Sequence, residues 1–282
     1  LFYLQVYKYK FYKFRSEGQL NRIVKLFPHR GNIYDRNGDP LALTKTSYSV
    51  YAIPPQIENK WDFAKYLAED IDIKSSVILK KVQTKMPFVW IQRKVDDDVY
   101  LSLKKRNIEG LNFIKEEKRV YPNQILAGDV LGFVGIDNQG LAGLEYVQDT
   151  LLKGSPGKIL LEGDPIGRQL ISGKRRIIPP YDGGHITTTL DKRIQYSAEK
   201  HLKDGVLYNQ AISGQVIVMD PRNGDILAMA DYPSFDPNNY SEYPIKYRKN
   251  SCVTDVYEPG SVFKIITVAA VLEEDIVTPG AV

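Results

Sequence analysis

A single cysteine, Cys252, stands in the 282 residues. No disulfide can form within the chain, and cysteine usage leaves the redox compartment open. Histidine is nearly as scarce. His29, His185 and His201 are far apart and lack metal-ligand spacing, so each reads as structural and no metal is expected. No apolar run approaches the ~18 residues needed to cross a bilayer, and there is no signal-peptide pattern. The net charge is only +4, with a pI near 8.8, too weak a surplus to argue for a nucleic-acid partner. Two ligand motifs fail on inspection. Asp35-x-Asn37-x-Asp39 echoes a calcium loop but lacks the glycine and glutamate that such a loop needs further on. Gly167 to Lys174 is one residue too long for a nucleotide phosphate loop, and Arg175 follows where Ser or Thr is required. No cofactor is expected.

What is present fits a globular protein of one large or two ordinary domains, with 43% hydrophobic and 26% charged residues. Nineteen tyrosines favour strands and wet surfaces over a helix bundle. The chain begins on Leu1-Phe2-Tyr3-Leu4, then interleaves Lys8, Lys10, Lys13 and Arg15 with Tyr7, Tyr9, Phe11, Tyr12 and Phe14. Aromatic and basic residues mixed in this way suit a membrane interface. Two readings stay open: the stub of a transmembrane helix, or an amphipathic element of a soluble domain.

Asn37-Gly38 predicts a hairpin, with short strands near 31–35 and 41–52. Residues 60–70, 73–86 and 95–106 read as helices, and Arg119-Val120-Tyr121-Pro122 as the opening of a loop. Residues 128–134 fit helix or strand equally. A helix is expected from Gly140 to about Leu152, ended by Gly154-Ser155-Pro156-Gly157. The turn-rich Pro179 to Gly184 marks a domain boundary. Beyond it come a strand at Ile186 to Thr189, then a helix capped by Thr189 or Asp191 with Ile194, Ala198 and Leu202 on one face. Two apolar strands follow, Gly214 to Met219 and Ile226 to Ala230, joined through Pro221-Arg222-Asn223-Gly224.

Ser-x-x-Lys occurs four times, at Ser102/Lys105, Ser155/Lys158, Ser197/Lys200 and Ser261/Lys264. The first and third sit in charged stretches and the second in a turn. Only Ser261 follows Pro-Gly and precedes a long uncharged run, Ile265 to Leu272. That context predicts a buried helix with the hydroxyl and the amine on one face. A lysine losing its hydration there favours the neutral form and becomes a base for the serine. The alternative is a core helix whose lysine snorkels to the surface.

Several segments together resemble the class B penicillin-binding proteins. Arg30-Gly31-x-x-x-Asp35-Arg36-Asn37-Gly38-x-x-Leu41-Ala42 is similar to their first signature. Arg119-x-Tyr121-Pro122 and Gly140-x-x-Gly143-Leu144-Glu145 with Asp149 resemble the later non-catalytic ones. Thr188-Thr189-Leu190-Asp191 with Gln195 looks like the entry to the transpeptidase domain, and Glu258-Pro259-Gly260-Ser261-Val262-Phe263-Lys264 like its nucleophile motif. The resemblance implies an α+β chain: a juxtamembrane segment (1–29), an elongated pedestal of the dimerisation type (30–184), and the start of a transpeptidase domain (185–282) with an antiparallel sheet flanked by helices. It implies a peptidoglycan D,D-transpeptidase in which Ser261 is the nucleophile and Lys264 its base, and which β-lactams acylate. Arg30, Gly31, Asp35, Arg36, Gly38, Gly143 and Glu145 are then structural, as hairpin residues and buried ion pairs joining the two units. The expected partners are stem peptides, β-lactams and a membrane glycosyltransferase of the SEDS type. The expected location is the inner membrane, single-pass through a preceding helix, with the bulk outside the cytoplasm. Tyr257 to Gly260 and Val50 to Pro54 lean towards the division branch. Rival readings are a non-catalytic scaffold of the same family, and a serine β-lactamase or antibiotic sensor. The family's Ser-x-Asn and Lys-Thr-Gly elements do not follow Ser261, so the segment is expected to be truncated and inactive alone.

Overall fold

The computed structural model describes residues 21–162 and 175–280, with Tyr3, Lys8 and Tyr9. Most of the aromatic-basic N-terminal stretch and the glycine-to-lysine motif at 167–174 lie outside the described residues. The chain runs β1 (Asn21–Leu26), β2 (Ile33–Tyr34), β3 (Pro40–Ala52), α1 (Lys60–Asp70), α2 (Ser75–Val82), β4 (Val89–Val95), α3 (Asp97–Arg106), β5 (Leu111–Val120) and α4 (Gly128–Leu131). It continues through α5 (Gly143–Val147), α6 (Asp149–Leu152), β6 (Gly157–Glu162), β7 (Arg175–Ile178), β8 (Ile186–Thr187), α7 (Lys192–Tyr208), β9 (Gly214–Met219), β10 (Ile226–Tyr232), α8 (Ser251–Thr254) and α9 (Lys264–Glu273). This is the α+β architecture expected.

Local chemistry sets many of these boundaries. Asn59 caps α1 by accepting the N–H groups of Trp61 and Asp62, and Phe63, Ala64 and Leu67 form its buried face. Asn107, in a left-handed conformation (φ 45°), closes α3. Asp191 caps α7 through the N–H groups of Arg193 and Ile194. The long strand β3 carries β4 on one side and β5 on the other, both antiparallel, with β5 in register from Leu43↔Val120 to Ala52↔Leu111. Val50, Ala52 and Ile91 of this sheet pack on Phe63, Leu67, Ile78, Val82 and Leu103 of the three helices. A second core joins Ile33, Leu41, Ala42, Tyr121, Leu131, Leu152 and Leu190.

The expected hairpin forms at β2–β3. Residues 140–152 form two short helices after an extended lead rather than one helix: Gly143, at φ +58° in close contact with Gly132, opens the first, and Gln148 (φ −102°, ψ 18°) parts it from the second. Of residues 128–134, Gly128–Leu131 forms the short helix α4 and Val134 makes an isolated antiparallel bridge with Gly140. The sequence pattern does not predict strands β4 and β5.

Strand β8 pairs parallel with β2, so the segment entering α7 is stitched to the N-terminal hairpin. Gly31 sits at this junction. A Cβ built there would lie 1.9 Å from the carbonyl oxygen of Gly184. Gly31→Ala is therefore expected to destabilise the fold by about 1–3 kcal/mol, the usual range for overpacking. A urea midpoint equal to wild type would contradict that expectation.

Candidate active site

The tetrad follows β10 and α8 in the chain, at the entry to α9. Asp231 of β10 accepts the N–H of Ser251 and the thiol of Cys252, fixing α8 against the β9–β10 hairpin. The Cys252 thiol is pushed up to about 12, first by burial and then by this carboxylate, so it is inert as a nucleophile. After an exposed stretch through Tyr257, Gly260 adopts φ +51° and opens a 3-10 turn, Gly260–Phe263, that runs directly into α9. The turn places Ser261 one helical turn before Lys264. The N–H of Ser261 is in a first turn, where a helix offers no acceptor of its own.

The surroundings differ from expectation. The sequence predicts a buried helix, but Ser261 and Lys264 are both exposed, and no residue of α9 is buried. Ile265 is 71% exposed and Ile266 60%. The uncharged run does form a helix, but among the described residues nothing packs over it. The desolvation that would activate the serine is therefore not supplied by these residues. Among them, no hydrogen bond joins the Ser261 hydroxyl to the Lys264 amine. A groove of about 350 Å³ lies between α7 and β9, but neither Ser261 nor Lys264 lines it.

The other predicted residues gather near the junction of the two units. Glu145, on α5, is wholly buried and receives two arginines. Arg30 donates from Nε to its Oε2 at 2.8 Å, from Nη2 to its carbonyl oxygen at 2.9 Å, and from Nη1 to Asp149 at 2.7 Å, with Nη2 also 2.7 Å from Oε2. Arg119 donates from Nε to Oε1 at 2.6 Å, and from Nη1 to the carbonyl of Gly31 at 2.7 Å and to Thr44 at 2.9 Å. Tyr121 adds its hydroxyl to Oε1 at 3.3 Å. Burial, then the adjacent carboxylate, raises the Tyr121 phenol well above its ordinary range. Burial acts to raise Asp149 as well, but the N–H of Gly140 and the Arg30 guanidinium outweigh it and hold the carboxyl low.

Asp35 and Arg36 sit in the β2–β3 hairpin turn and make no buried ion pair among the described residues. Asp35 is buried as the cap of its own turn, accepting N–H groups of Asn37 and Asp39 at 2.8 Å each and of Lys192 at 3.2 Å. These donors outweigh desolvation and lower its pKa. Gly38 completes the turn at φ +87°. The side chain of Arg36 is exposed, near enough to act on Asp191 and Asp220, while its N–H binds the carbonyl of Leu190 at 2.9 Å.

Sequence reasoning missed the clasp between residues 119–133 and the segment from α7 to Tyr240. Tyr121 and Asn238 exchange two hydrogen bonds of 2.9 Å. Glu199 accepts the N–H of Ala127 at 2.7 Å, and Gln195 brackets Met229 on β10 with bonds of 2.8 and 2.9 Å. Among the described residues no cluster of His, Cys, Asp and Glu fits a metal ion.

A two-unit chain, with a sheet-and-helix base and a hairpin unit ending in a Ser-x-x-Lys helix, is a defined class. Residues 25–188 match the penicillin-binding protein dimerisation domain and residues 214–282 the penicillin-binding protein transpeptidase domain. The chain is 36% identical over 275 residues to the probable peptidoglycan D,D-transpeptidase PenA of Neisseria meningitidis, covering 96% of this chain and 47% of that protein. It is 30% identical over 278 residues to the peptidoglycan D,D-transpeptidase FtsI of Escherichia coli, covering 95% and 47%. Among solved structures, Penicillin Binding Protein 2X of Streptococcus thermophilus superposes with a TM-score of 0.62 at 27% identity, covering 92% of this chain and 43% of that one. A Helicobacter pylori complex between Penicillin-Binding Protein PBP2 and MreC gives 0.70 at 22% identity, covering 93% and 55%, a likeness of fold. The chain belongs to the class B penicillin-binding proteins. It spans about half the length of the curated relatives it matches.

Proposed function

We propose that the protein carrying this chain is a peptidoglycan D,D-transpeptidase in which Ser261 is the nucleophile and Lys264 its base. The observation that carries this is the placement of the pair one turn apart at a Pro-Gly entry into an apolar helix, inside the segment matching the transpeptidase domain. Ser261 Oγ attacks the carbonyl carbon of the D-Ala–D-Ala bond while Lys264 takes the hydroxyl proton. The Ser261 N–H stabilises the oxyanion. The C–N bond breaks, the terminal D-Ala leaves with a proton, and a serine ester remains. The amine of a second stem peptide then attacks the ester, freeing Ser261 and forming the cross-link. A β-lactam acylates the same oxygen.

This reading requires that further residues of the protein cover α9 and dry the pair. The rest of the assignment follows the family. Residues 1–29 form a juxtamembrane segment, 30–184 the pedestal, and 185–282 the first part of the transpeptidase domain. The protein is held at the inner membrane by a single preceding helix, its bulk outside the cytoplasm, beside a SEDS-type glycosyltransferase. Among the described residues no helix is long and apolar enough to cross a membrane. The similarity to FtsI favours a role in division.

The test is covalent labelling of the full-length protein with fluorescent penicillin, followed by digestion. The adduct is expected on the peptide containing Ser261. A label on another peptide, or none, would reject the assignment, and rapid release of hydrolysed drug would point to a lactamase.

A further inference from the structure

Asp129, on α4, is 7% exposed and has no part in the chemistry proposed above. Its Oδ2 accepts the hydroxyl of Ser234, just past β10, at 2.7 Å. Its Oδ1 is buried without a hydrogen-bond partner. Among the described residues no cation pairs with it, and the titratable groups that bear on it are acids: Asp231 from β10, Glu199 from α7 and the Cys252 thiol from α8. Packing leaves little room for water. A Cβ at neighbouring Gly128 would meet the Phe235 carbonyl at 2.6 Å, and Phe133 packs edge-on to Phe235 with ring centres 5.8 Å apart. An unpaired charge in such a place is costly enough that the group keeps its proton instead.

We infer that the contact between α4 and β10 is a proton-held joint: Asp129 closes it as an uncharged carboxylic acid, and ionisation drives α4 away from Asp231 and loosens the support of the segment leading to Ser261. The path is short, because Asp231 is the residue that holds Ser251 and Cys252 in α8. Burial, with the neighbouring acids adding to it against the Ser234 hydrogen bond, pushes Asp129 up to about 8, and burial raises Glu199 too. The sign follows from linkage. Folding raises this pKa, so the stabilisation is complete below the free carboxyl's value near ~3.9, declines as pH rises towards about 8, and is flat above it.

The test is hydrogen exchange in the full-length protein, corrected for the intrinsic pH dependence of exchange, which does not depend on the transpeptidase assignment. From about pH 7 to about pH 9, wild-type protection in peptides spanning 126–133 and 229–253 is expected to fall about tenfold, following the loss of the neutral acid. Asp129→Asn is expected to hold protection constant across the range. An equal pH response in wild type and Asp129→Asn would overturn the joint. If Asp129→Asn does not fold, difference infrared on wild type decides. A protonated-carboxyl band that titrates near pH 8 and shifts in Ser234→Ala supports the joint, and its absence refutes it.

Discussion

In the full-length protein, Ser261→Ala is expected to abolish covalent penicillin labelling, and Lys264→Arg to slow it by about 10²–10⁴-fold, the usual contribution of a positioned general base. The two substitutions separate roles. Alanine removes the oxygen that forms the ester, so no adduct can accumulate. Arginine keeps a long nitrogen-tipped side chain in place but stays protonated under all working conditions, so it can fill the same space while failing to accept the serine proton. Non-covalent drug binding should therefore survive in Lys264→Arg while acylation falls. The measurement is the acylation rate at saturating drug, set against the equilibrium constant for the step before it. A Lys264→Arg protein that acylates at the wild-type rate would remove the lysine from the mechanism, and labelled Ser261→Ala would remove the serine.

Glu145→Ala is expected to cost about 3–5 kcal/mol of folding stability, as when one partner of a buried ion cluster is deleted. Glu145 is the only carboxylate paired with Arg119 and one of two paired with Arg30 among the described residues. Its removal strands guanidinium groups that are 2% and 1% exposed. Arg119 is the more vulnerable, because its Nη2 already lacks a partner. Arg30 retains Asp149. Glu145→Gln should lie between wild type and alanine, since the amide can accept from one arginine but presents its NH₂ to the other. The check is the urea midpoint, with penicillin acylation followed in parallel. A loss below about 1 kcal/mol, typical of an exposed pair, would show that the cluster is wetter than its burial indicates.

Much of the fold was legible in the residues themselves. Asn37-Gly38 fixed one hairpin and Pro221 to Gly224 the other, because those turns need residues that tolerate their backbone angles. Helix α1 was readable because its cap and its apolar spacing agree. Strand β5 was hidden. Lys115, Glu116, Glu117 and Lys118 interrupt any alternation, and the strand exists because ten consecutive residues pair with β3. The likeness of the Arg30 and Glu145 segments to a family signature was visible, but Arg119 as the second cation on Glu145 was not, since ion-pair partners 26 residues apart leave no local pattern. Asp129 gave no signal at all, because its significance lies in what surrounds it. For α9 the pattern was misleading in a defined way: an uncharged run states what a helix needs to bury, not which residues bury it.

The parallel pairing of β2 with β8 and the ion pair of Arg30 with Glu145 have a consequence for biogenesis. His29, Arg30 and Asp35 each take a partner 115 to 157 positions downstream, at Asp182, Glu145 and Lys192. At ribosomal rates of about 5–20 residues per second those partners arrive roughly 6–30 seconds later. The β2–β3 hairpin must wait, its Arg30 without its carboxylates, until the residues from Glu145 to Lys192 have been made. Such long-range closure makes acquisition of the native topology slow and leaves the nascent chain dependent on shielding throughout that interval.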